Sequence, residues 1–485
     1  MRIPNPENAV DEPVAPVNAL VTGATGYIGG RLAPRLIARG HHTRVLVRTP
    51  EKLRDVPWAD DAEICEGDLG DLESLRLACK GIDVLYYLVH AMGTSGSFAD
   101  ADRNNAWNVA QAAKEAGVGR IVYLGGLHPL DGELSPHLRS RAEVGEILHN
   151  SGVPTVILQA GVVIGSGSAS FEMIRHLTNR LPVMTTPKWV HNRIQPIAVR
   201  DVLHYLLAAA ELPTVANRSY DIGGPEVFTY GDMMKIYGDV AGLSRRRILV
   251  LPVLTPHLAS LWIGFVTPLP RGLAMPLIES VQCEAIAHDH DIDQVISPPD
   301  GGLTTYRDAV TLALRSAEVG EIDTQWTTTT ATDAPSDPLP SDPHWAGETV
   351  YVDRRSHECA VDAATLWRSV ESVGQPTGWN EFPSAWPVVA PVEAEQVDAG
   401  QFVRLRTHLK VPGRAWLELR VTELADRRSR LDQRVVYFPN GLAGRMYWYS
   451  IAPIRAALFR GMLENIAATA SSTSPASRGE PIEQE

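Results

Sequence analysis

The sequence predicts two folded units in series: a doubly wound α/β domain built on a parallel sheet, then a smaller α+β domain. Three observations carry this reading. Short, nearly unbroken apolar runs alternate with helical periodicities up to about Gly161, as strands buried on both faces require. A glycine-rich stretch, GATGYIGG, joins the first apolar run to the first helix. After a stretch rich in Thr, Asp and Pro, the apolar pattern changes to period two, the mark of half-exposed antiparallel strands. A length of 485 residues allows two or three domains, at about 150 residues each.

Taken in order, Asn18–Thr22 is a short apolar strand, RLAPRLIARG has helical spacing and stops at Gly40, and TRVLVR is the second strand. DAEICEGD holds a third strand, LESLRLAC a helix and DVLYYLVH a fourth strand. AWNVAQAAKEAG is a helix closed by Gly117, GRIVYLGG a strand, RAEVGEILHNSG a helix and VPTVILQAG another apolar strand. From about Ser166 to Arg315 the pattern loosens. Helical stretches such as FEMIRHLTNR and RDVLHYLLAAAE alternate with Pro-rich turns, and this region reads as a lobe added on the substrate side of a 17–315 domain. Residues 316–347 read as a solvated linker and 348–468 as the second globular unit. In that unit HECAVDAATLWRSV reads as helical. QFVRLRTHLK, AWLELRVTEL and SRLDQRVVYF read as strands, and MYWYSIAPIRAALFRGMLENIAATA as one long helix bent at its Pro. Residues 1–16 and 469–485 are polar and read as disordered.

Composition narrows the function. A net charge of −13 argues against a nucleic-acid binder, which needs a basic face against phosphates. Hydrophobic residues at 44% and charged residues at 21% fit a well-cored globular protein. The cysteines, at 65, 79, 283 and 359, have neither metal-ligand nor Cys-x-x-Cys spacing, and reduced thiols in a cytoplasm fit them best. The N-terminal residues lack the basic start and apolar core of a signal peptide. Ile248–Leu269 contains no Asp, Glu, Lys or Arg, but Pro252, Pro256 and Pro268 interrupt it. It reads as a buried or membrane-touching apolar lobe rather than a span.

The motifs point to a dinucleotide site. In a strand–turn–helix context, Gly23 allows the tight turn, Gly26 lets the backbone approach a pyrophosphate, and Gly29 lets the helix pack closely. Thr25, Tyr27 and Ile28 complete the turn, and the helix N-terminus offers its N–H groups to phosphate. The second strand ends in Arg48, where NAD sites usually carry an acid. An Arg fork there suits a 2′-phosphate, so NADP is favoured and NAD remains an alternative. Asp68 and Leu69 close the third strand beside the expected adenine, while Asp71 fits a helix N-cap better than Asp68 does. Val89, His90 and Ala91, at the end of the fourth strand, are expected under the nicotinamide ribose.

TGATGYIGG, the VLVR strand end, EGDL, YYLVHAMG and LSPHLRSRAEVGEIL together resemble the atypical short-chain dehydrogenase/reductases, on the NmrA-like side, over residues 17–315. VPGRAWLEL and GLAGRMYWYSIAPIRAALFRGML resemble the START-like, helix-grip domain that follows such reductase domains in many bacteria. The resemblance implies a Rossmann-type, NAD(P)-binding protein. The chain departs from that pattern in chemistry. The fifth strand ends Tyr123-Leu124-Gly125-Gly126 without the usual Ser, and no Tyr-x-x-x-Lys pair follows. His137 and Arg141 stand at that spacing. His137 is the candidate acid, with a reference pKa of about 6.5, or else a structural or cofactor contact. Arg141 is a candidate to orient the cofactor. His90 and His128 are lesser candidates that could instead bond backbone carbonyls.

The run His288-Asp289-His290-Asp291 reads as a solvated loop rather than a metal site, because adjacent residues rarely converge on one ion. Trp416, Tyr447, Trp448 and Tyr449 fit core packing as well as a hydrophobic pocket. Three functions stay open. The first is an oxidoreductase acting on an apolar carbonyl or quinone-like compound. The second is a non-catalytic NAD(P) sensor or assembly factor, like NmrA-like regulators or the accessory subunit of respiratory complex I. The third is a carrier of a hydrophobic ligand in the C-terminal domain, with peripheral membrane contact open.

Overall fold

The structure is a computed structural model that describes residues 15–54, 56–90, 98–129, 134–212, 217–250, 267, 271–314, 351–373, 392–407, 411–425, 427–439 and 441–472. The expected N-terminal disorder (all but residues 15 and 16), the 316–347 linker, the tail beyond Ser472 and most of the apolar 248–269 segment lie outside the described residues. The chain divides into two compact units, with the main boundary in the sequence near residue 348.

The first unit opens with β1 (Asn18–Thr22), α1 (Gly29–Ala38), β2 (His42–Val47), β3 (Glu63–Glu66), α2 (Leu72–Ala78), β4 (Val84–Tyr87), α3 (Phe98–Ala116), β5 (Arg120–Gly126), α4 (Pro136–His149) and β6 (Thr155–Ala160). There follow β7 (Val163–Ile164), α5 (Ala169–Arg180), β8 (Val183–Thr186), β9 (Arg193–Ile194), β10 (Ile197–Ala198), α6 (Val199–Glu211), β11 (Arg218–Ile222), β12 (Phe228–Thr229), α7 (Tyr230–Val240), β13 (Arg247–Val250), α8 (Arg271–Ser280) and α9 (Tyr306–Leu314).

Seven strands form one sheet in the order β11-β6-β5-β4-β1-β2-β3, every pair parallel. The order reverses between β1 and β4, which opens a crevice at the carboxyl ends of the strands, where such folds bind ligands. The unbroken apolar runs have a direct cause. Ala19, Val21 and Tyr86 pack with α1 and α6 on one face, while Leu20, Leu85 and Tyr87 pack with α2, α3 and α4 on the other. A third apolar cluster joins α5, α7, α8 and α9.

The 166–315 region is thus not wholly an added lobe. α6 packs in the main core and β11 extends the main sheet beside β6. Among the described residues no helix is long and apolar enough to cross a membrane.

The second unit is α+β: β14 (Tyr351–Cys359), α10 (Ala363–Val373), β15 (Val392–Asp398), β16 (Phe402–Thr407), β17 (Gly413–Glu423), β18 (Ser429–Pro439), α11 (Gly441–Ser450) and α12 (Ala452–Ser472). Its antiparallel sheet runs β14-β18-β17-β16-β15, and residues of α10 and α12 share its apolar core. Two expectations change here. His357-Glu358-Cys359 ends a strand instead of starting a helix, because the alternation from Tyr351 pairs with β18 as far as Cys359 opposite Ser429. The helix begins at Ala363, after the Asp362 carboxylate accepts from the Thr365 N–H at 2.7 Å. The long C-terminal helix is two helices that meet at Ile451, just before Pro453, which has no N–H to donate to the turn behind it. The second helix continues to Ser472, beyond the expected boundary at 468. Trp416 is fully buried and clusters with Val436 and Phe438. Tyr351 and Tyr437 each stack on Trp448, at centroid distances of 5.5 and 5.3 Å, so Trp448 serves as packing. Tyr447 packs against Tyr437, whereas Tyr449 is 62% exposed.

Candidate dinucleotide and substrate site

A cavity of about 660 Å³ lies along the carboxyl ends of the strands of the first unit. Its shape begins with the turn after β1. Gly23 has a φ of +78°, a conformation that costs a residue with a Cβ, and a Cβ there would also come within 3.0 Å of Leu88 O and Val89 Cγ2. The Gly26 N–H closes the turn by donating to Gly23 O at 2.8 Å. A Cβ on Gly29 would lie 2.8 Å from Gly23 C and closer still to its oxygen. Gly29 therefore serves the closure of the turn on itself, besides the helix packing that the motif suggested. No acidic side chain stands in the first turn of α1, which leaves its N–H end open to an anion. Thr25, Gly26, Tyr27, Ile28 and Gly29 all line the cavity. The Thr22 hydroxyl donates to Tyr86 O at 3.0 Å and accepts from the Leu88 N–H at 3.3 Å, fixing the switch point between β1 and β4.

On the β2–β3 side Arg48, Asp68 and Leu69 line the same cavity. Arg48 is mostly exposed, with Nε 4.0 Å from Asp68 Oδ2. Asp68 Oδ1 accepts from the Gly70 N–H at 2.7 Å, whereas Asp71 caps α2 by accepting from the Glu73 N–H at 3.1 Å. Asn105 of α3 also lines this end. No motif singled it out.

On the other side Val89 and His90 line the cavity, while Ala91 lies outside the described residues. His137, one residue into α4, and Arg141, one turn further on, reach the cavity from one face of that helix. Arg141 Nη2 donates to Leu124 O at 2.5 Å. The rings of His90 and His137 meet edge to face at 6.1 Å, and among the described residues the buried His90 Nδ1 has no hydrogen-bond partner. Burial foremost, then the Arg141 charge, lowers the His137 pKa to about 3. Burial, Arg141 and His137 lower that of His90 to about 3 as well. An imidazolium acid near neutral pH, the role the spacing suggested for His137, therefore does not fit this environment: both rings are neutral there. His128 Nδ1 meets Gly126 O at 3.0 Å, a backbone contact outside the cavity lining.

Beyond the histidines the wall turns apolar, with Val162, Met173, Ile194, Tyr230, Leu277 and Val281. These come from α5, β9, α7, α8 and the residues just before β7 and just after α8, which sequence periodicity did not bring together. His288 is tied to Asp221 through its backbone N–H and Nδ1, each 2.8 Å from Asp221 Oδ2. Asp291 pairs with Arg218 at 2.7 Å. Among the described residues no group of three or more His, Cys, Asp or Glu could hold a metal ion.

A parallel sheet in this order, a glycine cradle at its first turn and a cavity across its switch point define an α/β domain built for a dinucleotide. Residues 23–177 match the family model described as NAD(P)H-binding, so the first unit carries an NAD(P)-binding domain of Rossmann type. Residues 383–462 match a family described as a protein of unknown function (DUF2867). The chain is 26% identical over 239 residues to a ceramide reductase of Caulobacter vibrioides, spanning 48% of this chain and 73% of that protein. It is 28% identical over 217 residues to a (4-alkanoyl-5-oxo-2,5-dihydrofuran-3-yl)methyl phosphate reductase of Streptomyces griseus, spanning 43% and 69%. The crystal structure of the Citrobacter sp. triphenylmethane reductase complexed with NADP(H) is 20% identical. It covers 61% of this chain and 100% of its own, with a TM-score of 0.49.

Proposed function

We propose that the first unit is an NADP(H)-dependent oxidoreductase acting on an apolar carbonyl or quinone-like compound. The observation that carries this reading is the continuity of one cavity from the glycine turn and Arg48, past His137 and Arg141, to the apolar wall at Met173 and Val281. The cradle fits a dinucleotide: the turn leaves no room for side chains at Gly23 and Gly29, and the N–H end of α1 faces the cavity without an acid beside it. The names of two relatives, a ceramide reductase and a reductase of an alkanoyl-bearing phosphate, support reduction of substrates with apolar chains.

The Gly23–Gly29 turn would hold the pyrophosphate, Arg48 a 2′-phosphate, Asp68 and Leu69 the adenine, and Val89 and His90 the far ribose. When bound, the reduced nicotinamide supplies a hydride. His137, held neutral, offers an N–H hydrogen bond to the carbonyl oxygen, and solvent supplies the proton that completes the alcohol as the product leaves. Arg141, anchored on Leu124 O, adds positive charge where negative charge develops on that oxygen. The apolar wall excludes water from the reacting centre.

The test is steady-state NADPH oxidation by the full chain with long-chain ketones, steroid ketones and quinones. Turnover with one class supports the reading. Tight NADPH binding with no turnover on any class favours a second reading, an NAD(P) sensor, which the missing Tyr-x-x-x-Lys pair and the neutral His137 also favour. For the second unit, the START-like assignment and hydrophobic-ligand binding stay part of this proposal, testable by native mass spectrometry of the purified protein.

A further inference from the structure

Behind the far wall of the cavity lies a buried polar cluster for which the chemistry above has no use. Glu172 of α5 is 0% exposed and Arg175 is 3% exposed. Burying such a pair strips both ions of water, a cost returned only when the geometry serves both partners. Here the contacts converge on the loop Gly165–Ser168, which joins β7 to α5 and whose last residues line the cavity. Glu172 Oε1 accepts from the Gly167 N–H at 2.8 Å. Arg175 Nη2 reaches Ser166 Oγ at 3.4 Å and donates to Ala313 O at 2.9 Å, while its Nη1 lies 3.3 Å from Glu172 Oε1.

The cluster also touches the glycine turn. Arg31 of α1 donates to Ser166 O at 3.4 Å and stands 4.3 Å from the ring centre of Tyr27. A Cβ on Gly165 would collide with the Tyr27 hydroxyl oxygen and lie 2.8 Å from Val199 Cγ1. One polar network thus spaces the loop from the turn. The strand order puts Arg48 and Asp68 on the β2–β3 side of the switch point, whereas the 165–168 loop follows β7, the short strand reached from the end of β6 on the opposite side.

We infer that Glu172 is a positioning residue: it fixes the Gly165–Ser168 wall at one distance from the glycine-rich turn and so shapes the seat of the cofactor's nicotinamide end, leaving the adenine end untouched. The inference rests on the dinucleotide reading of the cavity.

Calorimetric titration of the full chain with NADPH and with 2′,5′-ADP separates the two ends, and NADPH fluorescence reports the nicotinamide directly. In Glu172→Ala, NADPH affinity should fall about tenfold, with loss of the bound-state fluorescence change, while 2′,5′-ADP affinity stays within about twofold. Glu172→Gln keeps an acceptor for the Gly167 N–H and should keep most of the NADPH affinity. If Glu172→Ala does not fold, Gly165→Ala makes the same test from the wall side and should give the same split. Equal loss for both ligands, or no loss for either, overturns the inference alone. A wild type that binds neither ligand overturns the dinucleotide reading and this inference with it.

Discussion

His137 gives the sharpest handle on the electrostatics of the cavity. Its pKa of about 3 lies far below the reference value of 6.5 from which it starts, so at pH 7 about one molecule in ten thousand carries the imidazolium. The sign of the linkage follows. Between pH 6.5 and 3 the unfolded chain binds a proton that the folded chain refuses, so stability falls as acid is added. From pH 7 to pH 5 this one group accounts for a loss of about 2 kcal/mol. Urea unfolding of the full chain, followed by tryptophan fluorescence at both pH values, should show the wild type losing about that much more than His137→Gln. A catalysed reduction should likewise show no step between pH 5 and 8 assignable to His137. Parallel pH dependence in wild type and variant, or a His137 resonance that titrates near pH 6.5 by NMR, would refute the burial argument.

Gly29→Ala places a methyl group against Gly23 C and O. It should lower stability by about 1–3 kcal/mol and abolish NADPH binding, read by thermal melts and calorimetry. Arg48→Ala should weaken NADPH about tenfold while leaving NADH unchanged, a modest effect because the side chain is 78% exposed; equal loss for both makes Arg48 a general contact. The Glu172 and Gly165 variants extend these tests to the far wall.

What could be read in the sequence was what local pattern encodes. β1, β4, β5 and β6 are apolar at consecutive positions because both faces of the sheet are covered, and that signal needs no knowledge of partners. The glycine turn is legible for the same reason, since its constraint is its own backbone. β11 was hidden because Arg-Ser-Tyr-Asp-Ile is polar: Arg218 pairs with Asp291, and Asp221 holds His288, from a segment some seventy positions later. The neutrality of His137 depends on packing around α4, which spacing does not carry. Glu172 falls in the helical stretch FEMIRHLTNR, whose pattern does not reveal that the carboxylate is buried. Its one local signal was Arg175 and His176 three and four positions on.

The threading of the first unit bears on how its specificity could be changed. The helices that build the apolar wall are not contiguous in the chain: between α5 and α7 the chain returns to the main core with α6 and to the main sheet with β11. No single cassette carries the wall. Transplanting it from a relative would require at least two splices, and each junction would interrupt a segment buried in the common core. A protease nick in the intervening turns should therefore release neither half, and the wall and the sheet should melt in one cooperative step.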